Sequence, residues 1–261
     1  MAIYTGIGGS AKSVSKIYTG VDGAARPVHK GYIGVDGVAK KFYDGGNPIS
    51  SFALGTEFGI DDPSGYTYWY KLVHKGVPGG GLYDSTANGA WLWRSSIAAS
   101  TSISGGYIYG YEGYALDNWC VNYPGGNITP SVANRLMTVH LPYVKEADYN
   151  SANVSSGSNG LSRKCFLLSA VEMGIYTWQG PDGLMAQEGA KLDYFDYTTD
   201  ATDKRKAADE YWTRSKRTHN GNYMYAFYAD GSFCKAGYRE DSHGLRPCIV
   251  LPLNTLVTTV T

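Results

Sequence analysis

The 261-residue chain has no excess charge of either sign: 23 Lys and Arg balance 23 Asp and Glu, and charged residues make up only 18% of the whole. Ordinary soluble proteins carry about 25%. A polyanion partner needs a basic face, so nucleic acid is not an expected partner. No apolar run reaches the length of about 18 residues that a membrane helix needs, and Met1-Ala2-Ile3-Tyr4-Thr5-Gly6 carries neither the basic nor the apolar region of a secretion signal. The expectation is a chain made in the cytoplasm without a signal peptide and without membrane insertion. Cysteines are four, Cys120, Cys165, Cys234 and Cys248, with no Cys-x-x-Cys spacing. That removes zinc-ribbon and dithiol redox motifs and leaves the thiols as small core residues. No two of His29, His74, His140, His219 and His243 stand four apart, and neither His-Glu-x-x-His nor a calcium loop of the Asp-x-Asp-x-Asp-Gly kind occurs, so no metal and no cofactor is expected. The acidic run holding Asp193, Asp196, Asp200 and Asp203 matches no ligand loop and reads as a solvated face. Gly-x-Ser-x-Gly is missing, and Gly79-Gly80-Gly81 lacks the Lys-Ser/Thr of a phosphate cradle. No catalytic set emerges.

What the chain has in excess is glycine, 34 residues, and tyrosine, 23. Part of the glycine belongs to a repeat. Residues 3–16 (IYTGIGGSAKSVSK), 17–30 (IYTGVDGAARPVHK) and 31–44 (GYIGVDGVAKKFYD) share a period of 14. In each, a tyrosine (Tyr4, Tyr18, Tyr32) precedes a glycine (Gly6, Gly20, Gly34) and then a turn pair, Gly8-Gly9, Asp22-Gly23 or Asp36-Gly37. Such pairs between β-favouring runs signal tight hairpins, because glycine accepts the positive φ the turn requires. A hairpin this small buries no face alone and gains stability by packing on neighbours, so residues 1–46 read as an attachment or oligomerisation segment. Asp44-Gly45-Gly46-Asn47-Pro48 closes it, and residues 47–261 read as a second domain.

That second domain is expected to be α+β with a strong β and loop bias. Tyr66–Val73 and Lys164–Ser169 are β-rich runs, the latter continuous enough for a buried strand. Ser131–Met137, after Pro130, has helical character, 201–210 reads as a short surface helix or turn, and 151–160 is a polar loop. Near the C-terminus, Asp230-Gly231 predicts a hairpin in which Phe227 faces Cys234, Tyr225 faces Ala236 and Tyr223 faces Tyr238, with Met224, Tyr228, Phe233 and Lys235 on the other side. Rings lie on both faces, so a hairpin with one solvent face leaves some of them exposed. Rigid amphipathic rings among adaptable hydrogen-bonding groups make a binding surface. The candidate ligand-binding residues are Lys216, Arg217, His219, Asn220, Asn222, Tyr223, Tyr225, Tyr228, Ser232, Lys235, Tyr238, Arg239, Glu240, Asp241 and His243.

The ordered segments YWYKLVHKGVP (68–78), NGAWLWR (88–94), YALDNWCVNYP (114–124), VHLPY (139–143), GLSRKCFLLSAVEMG (160–174), YWTRS (211–215) and GLRPCIVLP (244–252) resemble the C-type-lectin-like domains of gut-bacterial phage and prophage tail proteins. This is the DUF6273-like group that includes variable proteins of diversity-generating retroelements. The resemblance implies a C-type-lectin-like domain with long loops, preceded by the hairpin repeats, in which Ser131–Met137 continues into a strand through Val139 and Leu141. It assigns Trp212, Arg214, Ser215, Gly244, Arg246 and Pro247 to scaffold and the residues between them to a diversified binding face. The implied function is non-enzymatic: a receptor-binding, host-attachment protein located in the virion tail, recognising a host cell-surface protein or glycan. Tail proteins would be bound through the N-terminal repeats, and a homo-oligomer, a trimer in first place, is implied. A bacterial surface adhesin and a purely structural tail component are the alternatives. Two departures matter. The Glu-Pro-Asn calcium-and-sugar loop of true C-type lectins is missing, and Lys216, Met224, Lys235 and Glu240 are not products of adenine mutagenesis at Asn codons. The fold also hosts formylglycine-generating enzymes, an oxidase reading disfavoured because no two cysteines are close in sequence.

Overall fold

The N-terminal repeats each form a separate antiparallel hairpin: Tyr4–Ile7 with Ser10–Ser13, Ile17–Val21 with Ala24–Val28, and Lys30–Val35 with Val38–Asp44. The innermost pairs are Ile7 with Ser10, Val21 with Ala24 and Val35 with Val38. Two residues, the glycine-containing pair expected from the repeat, separate the paired strands in each hairpin. The computed structural model describes residues 4–7, 10–13, 17–21, 24–28, 30–35, 38–44, 46–103, 110–147, 152–180, 183–218 and 222–257.

The chain divides into one unit of Met1–Phe52 with Asn254–Thr261 and a second of Ala53–Leu253. The division lies at Phe52 instead of residue 46 because Leu256–Val257 pairs with Asn47–Pro48 and the Ile49 N–H donates to the Thr255 carbonyl at 2.8 Å. The last residues, expected in the larger domain, thus belong to the first unit.

The second unit is mostly β. Two five-stranded sheets are built from β1 (Glu57–Asp61), β2 (Thr67–Gly76), β3 (Gly89–Arg94), β4 (Ala99–Thr101), β5 (Cys165–Leu167), β6 (Tyr211–Lys216), β7 (Tyr223–Phe227), β8 (Phe233–Tyr238), β9 (His243–Leu245) and β10 (Pro247–Leu251). One sheet has the order β5-β10-β3-β2-β1 and the other β4-β9-β6-β7-β8. The core lies where strands are apolar on both sides: every residue of β3, β5 and β10 is buried. Trp91 meets Phe166 edge-on at 5.4 Å, and Trp93 meets Phe195 edge-on at 5.5 Å, the offset geometry aromatic rings prefer. By contrast β1 is an edge strand with alternating exposure. There Trp69, 45% exposed, pairs with Gly59, and its ring lies over the glycine. A large ring over a strand glycine supplies the packing the glycine lacks, which accounts for this exposed tryptophan.

The run expected at Tyr66–Val73 is β2, and that at Lys164–Ser169 is β5. Of Ser131–Met137 only a short helix remains (α2, Pro130–Ala133, following α1, Ala115–Asn127), and a strand over Val139–Leu141 comes next. Residues 201–210 form turns. Helix α1 has no counterpart in the sequence expectations, since Pro124-Gly125-Gly126 in its last turn is poor helix former. Tertiary contacts hold it. Asp117 accepts the Gly113 N–H at 2.8 Å and grips Arg163 through Nε at 2.7 Å and Nη2 at 2.6 Å, while Leu116, Cys120 and Tyr123 are buried. All four cysteines are buried and free.

Candidate ligand-binding surface

Strand β6 carries Tyr-Trp-Thr-Arg-Ser into the core, and Arg214 is wholly buried. A guanidinium removed from water needs both a counter-charge and acceptors for its fork of donors. It has them. Both Glu172 oxygens pair with Arg214, Oε1 at 2.7 Å from Nη2, and the carbonyls of Pro142, Leu167 and Glu188 accept the remaining donors. Glu172 is itself held by the Tyr83 hydroxyl at 2.6 Å and the Ser169 N–H at 2.8 Å. Ser215 Oγ accepts the Ala170 N–H at 3.0 Å. Nearby, Glu188 accepts the Val144 N–H at 2.8 Å. Burial pushes its carboxyl up to about 7, against the opposing pull of Arg214.

Arg246, one residue before β10, is buried, and among the described residues no carboxylate forms an ion pair with it. It donates to the carbonyls of Arg94, Ser95, Arg205 and Lys206 at 3.0 to 3.3 Å and lies 3.4 Å from the Trp93 ring centroid. Burial lowers its pKa to about 10. Trp212 donates to the Thr101 carbonyl at 2.9 Å, and a Cβ on Gly237 would run into its ring. Both motifs flanking the hairpin are thus packed interior, with no free polar group aimed at solvent from Arg214 or Arg246.

Between them, the hairpin differs from expectation in its inner half. Tyr223 faces Tyr238, as expected, but Phe227 faces Phe233 and Ala226 faces Cys234. The connection is longer than two residues: the Tyr228 N–H donates to the Ser232 carbonyl at 2.9 Å and the Gly231 N–H to Tyr228 at 2.9 Å, with Gly231 at φ +87°. The register shift between Met224 and Ala226, with Lys235 and Ala236 opposite Tyr225, is a bulge that restores the outer pairing.

The larger difference concerns exposure. Met224, Tyr225, Ala226 and Phe227 are all buried although they point alternately to the two sides of β7, so both faces of this strand are covered. Tyr225 is fully buried and its carbonyl accepts Thr213 Oγ1 at 2.7 Å; Lys216 is 2% exposed. Neither contributes to an outer face. His243 is buried too, its Nδ1 3.2 Å from Glu210 and its ring edge-on to Trp212 at 4.3 Å. His219, Asn220 and the side chain of Lys235 lie outside the described residues.

The remaining candidates separate into two groups. At the open end, Tyr223 and Tyr238 are half-buried with ring centroids 5.4 Å apart, and Arg217 lies 5.5 Å over Tyr223. The Arg239 N–H donates to the Asn222 carbonyl at 2.8 Å, and Arg239 lies 3.8 Å from Glu240. Glu240 and Asp241 are exposed, the Asp241 N–H returning to the Tyr238 carbonyl at 2.9 Å. At the turn end are Tyr228, 42% exposed, and Ser232, which donates to Asp230 at 2.6 Å. The span of β7 between the ends is roughly 16 Å at the usual rise per strand residue. One small ligand does not bridge them.

The open end offers two phenols, two guanidiniums and two carboxylates on a rigid base, an arrangement suited to recognition. Among the described residues no group of three or more His, Cys, Asp or Glu is placed to hold a metal ion, and no helix is long and apolar enough to cross a membrane. Sequence reasoning also missed the exposed rings of Tyr176 and Tyr197, which stand on loops and carry no periodic signal.

No curated protein and no solved structure matches the chain. A family described as a domain of unknown function, DUF6273, matches residues 88–253, which begin just before β3 and take in the whole second sheet while leaving β1 and β2 outside. The chain therefore belongs to the DUF6273 family.

Proposed function

We propose that this protein is a non-enzymatic ligand-binding protein of a phage or prophage tail, attaching the particle to its host through a cell-surface protein or glycan. The observation that carries the reading is the open end of the β7–β8 hairpin. There Tyr223 and Tyr238 pack together with Arg217 over Tyr223, Arg239 lies beside the exposed Glu240, and the strands beneath are locked by buried Met224, Tyr225 and Phe227. A preorganised aromatic surface loses little entropy when it binds. The long connections around paired sheets support a C-type-lectin-like fold, and the segments from 68 to 252 that resemble phage tail proteins support the tail setting and a variable face between Arg214 and Arg246. The N-terminal hairpins then fix the chain to tail proteins or to sister copies, in a trimer, and display in several copies multiplies a modest single-site affinity.

The test is binding of labelled protein to intact cells of candidate gut-bacterial hosts, wild type against Tyr223→Ala/Tyr238→Ala. The expected result is a loss of about tenfold or more, as for aromatic anchors at an interface; equal binding refutes the assigned face. Tyr225 is left intact because truncating it empties the core.

A further inference from the structure

Four arginines are buried among the described residues, Arg94, Arg205, Arg214 and Arg246, and three of them are held by strong acceptors. Arg214 has Glu172 and three carbonyls, Arg246 has four carbonyls, and Arg205 donates to the carbonyls of Met173, Thr198 and Asp200 at 2.6 to 3.2 Å. Arg94 differs. The last residue of β3, it is 4% exposed, and among the described residues it meets neither a carboxylate nor a carbonyl. Its hydrogen bond runs from Nη1 to the Tyr123 hydroxyl, and Nε is enclosed without a partner. A guanidinium taken from water needs acceptors for its fork of donors. The edge made by Nε and Nη2 has none.

The acids nearest in the sheet are turned away or committed. Along β1 and β2 the side chains alternate, so Phe58, Ile60, Tyr68 and Tyr70 share the Arg94 face, while Glu57 and Asp61 point to the other. There Glu57 accepts from Ser95 Oγ at 2.7 Å and lies 3.5 Å from Lys71, and Asp61 accepts from Thr67 Oγ1 at 2.6 Å. Asp62 closes its own turn, accepting the Ser64 N–H at 2.8 Å and the Tyr66 N–H at 2.9 Å. Rings, in contrast, lead from solvent to the guanidinium. Tyr66 is 63% exposed and its ring centroid lies 4.8 Å from that of half-buried Tyr68, over which Arg94 Cζ sits at 4.0 Å. Tyr123 closes the inner side, its hydroxyl 2.8 Å from that of Tyr70 and its ring 4.9 Å from half-buried Trp119.

This arrangement selects the ligand. One guanidinium supplies one positive charge, which a carboxylate matches and a phosphate dianion exceeds. Two parallel N–H groups on one edge fit the two oxygens of a carboxylate. The flanking phenols favour an acid carried on a ring over a bare ion.

We propose that Arg94 anchors a binding site for a single carboxylate carried on a ring, framed by Tyr66, Tyr68 and Trp119 and separate from the open end of the hairpin. The carboxylate accepts from Nε and Nη2, the Tyr68 ring turning to uncover Nε, and the ligand ring packs on Tyr66 and Tyr68. An arginine kept for a ligand costs stability while the ligand is absent, because its donors go unmet. Saturation-transfer NMR titrations of the full chain compare two matched pairs at millimolar concentration: benzoate with benzyl alcohol, and methyl glucuronoside with methyl glucoside. Expected is tighter binding of the charged member in at least one pair, by about tenfold or more. Which pair responds distinguishes an aromatic acid from an acidic sugar. Arg94→Met abolishes the difference, and Tyr223→Ala/Tyr238→Ala preserves it, so this site and the hairpin face fail separately. Stability is the second readout: Arg94→Met melts at or above the wild-type temperature, as a merely structural buried arginine does not. Equal binding within both pairs, a preference that survives Arg94→Met, or one lost in Tyr223→Ala/Tyr238→Ala overturns the assignment. So does an Arg94→Met variant that fails to fold or melts more than about 4 °C lower, which gives Arg94 a structural role.

Discussion

Replacing Arg214 with methionine keeps a long apolar stem in the core and deletes the guanidinium. The two Glu172 oxygens then lose their counter-charge inside the protein, and the carbonyls of Pro142, Leu167 and Glu188 lose a donor. Only the Tyr83 hydroxyl and the Ser169 N–H remain on Glu172. Breaking a buried ion pair from one side costs about 3–5 kcal/mol, a large share of the roughly 5–15 kcal/mol that separates folded from unfolded domains. At about 2–4 °C per kcal/mol for a unit of this size, the melting temperature falls by roughly 6–20 °C. Urea unfolding followed by tryptophan fluorescence measures the loss as a lower midpoint with an unchanged slope. The double variant Arg214→Met/Glu172→Gln removes both charges while keeping an acceptor for Tyr83, and recovers more than about 1 kcal/mol relative to the sum of the single losses. A single variant within about 1 kcal/mol of wild type, or a strictly additive double, refutes the view that this pair is the buried keystone beneath the hairpin.

Glu188 makes stability pH-dependent. Its folded pKa of about 7 lies above the ordinary 4.5, so the folded state holds a proton the unfolded state has released. Its contribution is fully present below about pH 4.5 and is lost as pH rises through about 7. The difference between the two values corresponds to roughly 3 kcal/mol. Melting temperatures between pH 5 and 8 decline in wild type and flatten in Glu188→Gln; parallel profiles disprove the assignment. All four cysteines are buried, and burial also pushes the Cys165 and Cys248 thiols well above their usual range; a chromogenic disulfide reagent, which needs access to the sulfur, therefore labels none of the four in the native protein and all of them in denaturant; rapid native labelling contradicts their placement. Gly231→Ala forces a Cβ onto φ +87° and into the Thr202 carbonyl, and costs about 1–3 kcal/mol in urea unfolding; wild-type stability would show that the positive-φ turn is not formed.

Legibility in the sequence followed how local each determinant is. The repeat hairpins were readable because their turn pairs dictate the two-residue connection without help from distant residues. Strand β2 was readable from its β-favouring residues and β5 from a continuous apolar run. Helix α1 was not, since its stability comes from Asp117 meeting Arg163 and from a buried stripe rather than from good helix formers. The inner register of the β7–β8 hairpin was displaced by a longer connection, held against Thr199 and Thr202 from far earlier in the chain, and by a bulge opposite Tyr225.

The sequence by itself determined a charge-neutral, tyrosine-rich chain with N-terminal hairpin repeats, buried free cysteines and a ring-lined hairpin near its C-terminus. Alternation alone leaves open which face of a strand meets water, because that depends on what packs above and below the sheet, which residues distant in sequence supply. Only the tertiary structure decided that Lys216, Tyr225 and His243 point inward, that Tyr223 and Tyr238 stand at one end and Tyr228 at the other, and that Tyr176 finds Tyr197 across two loops. Those outcomes depend on strand order and loop approach, which join residues far apart in the chain.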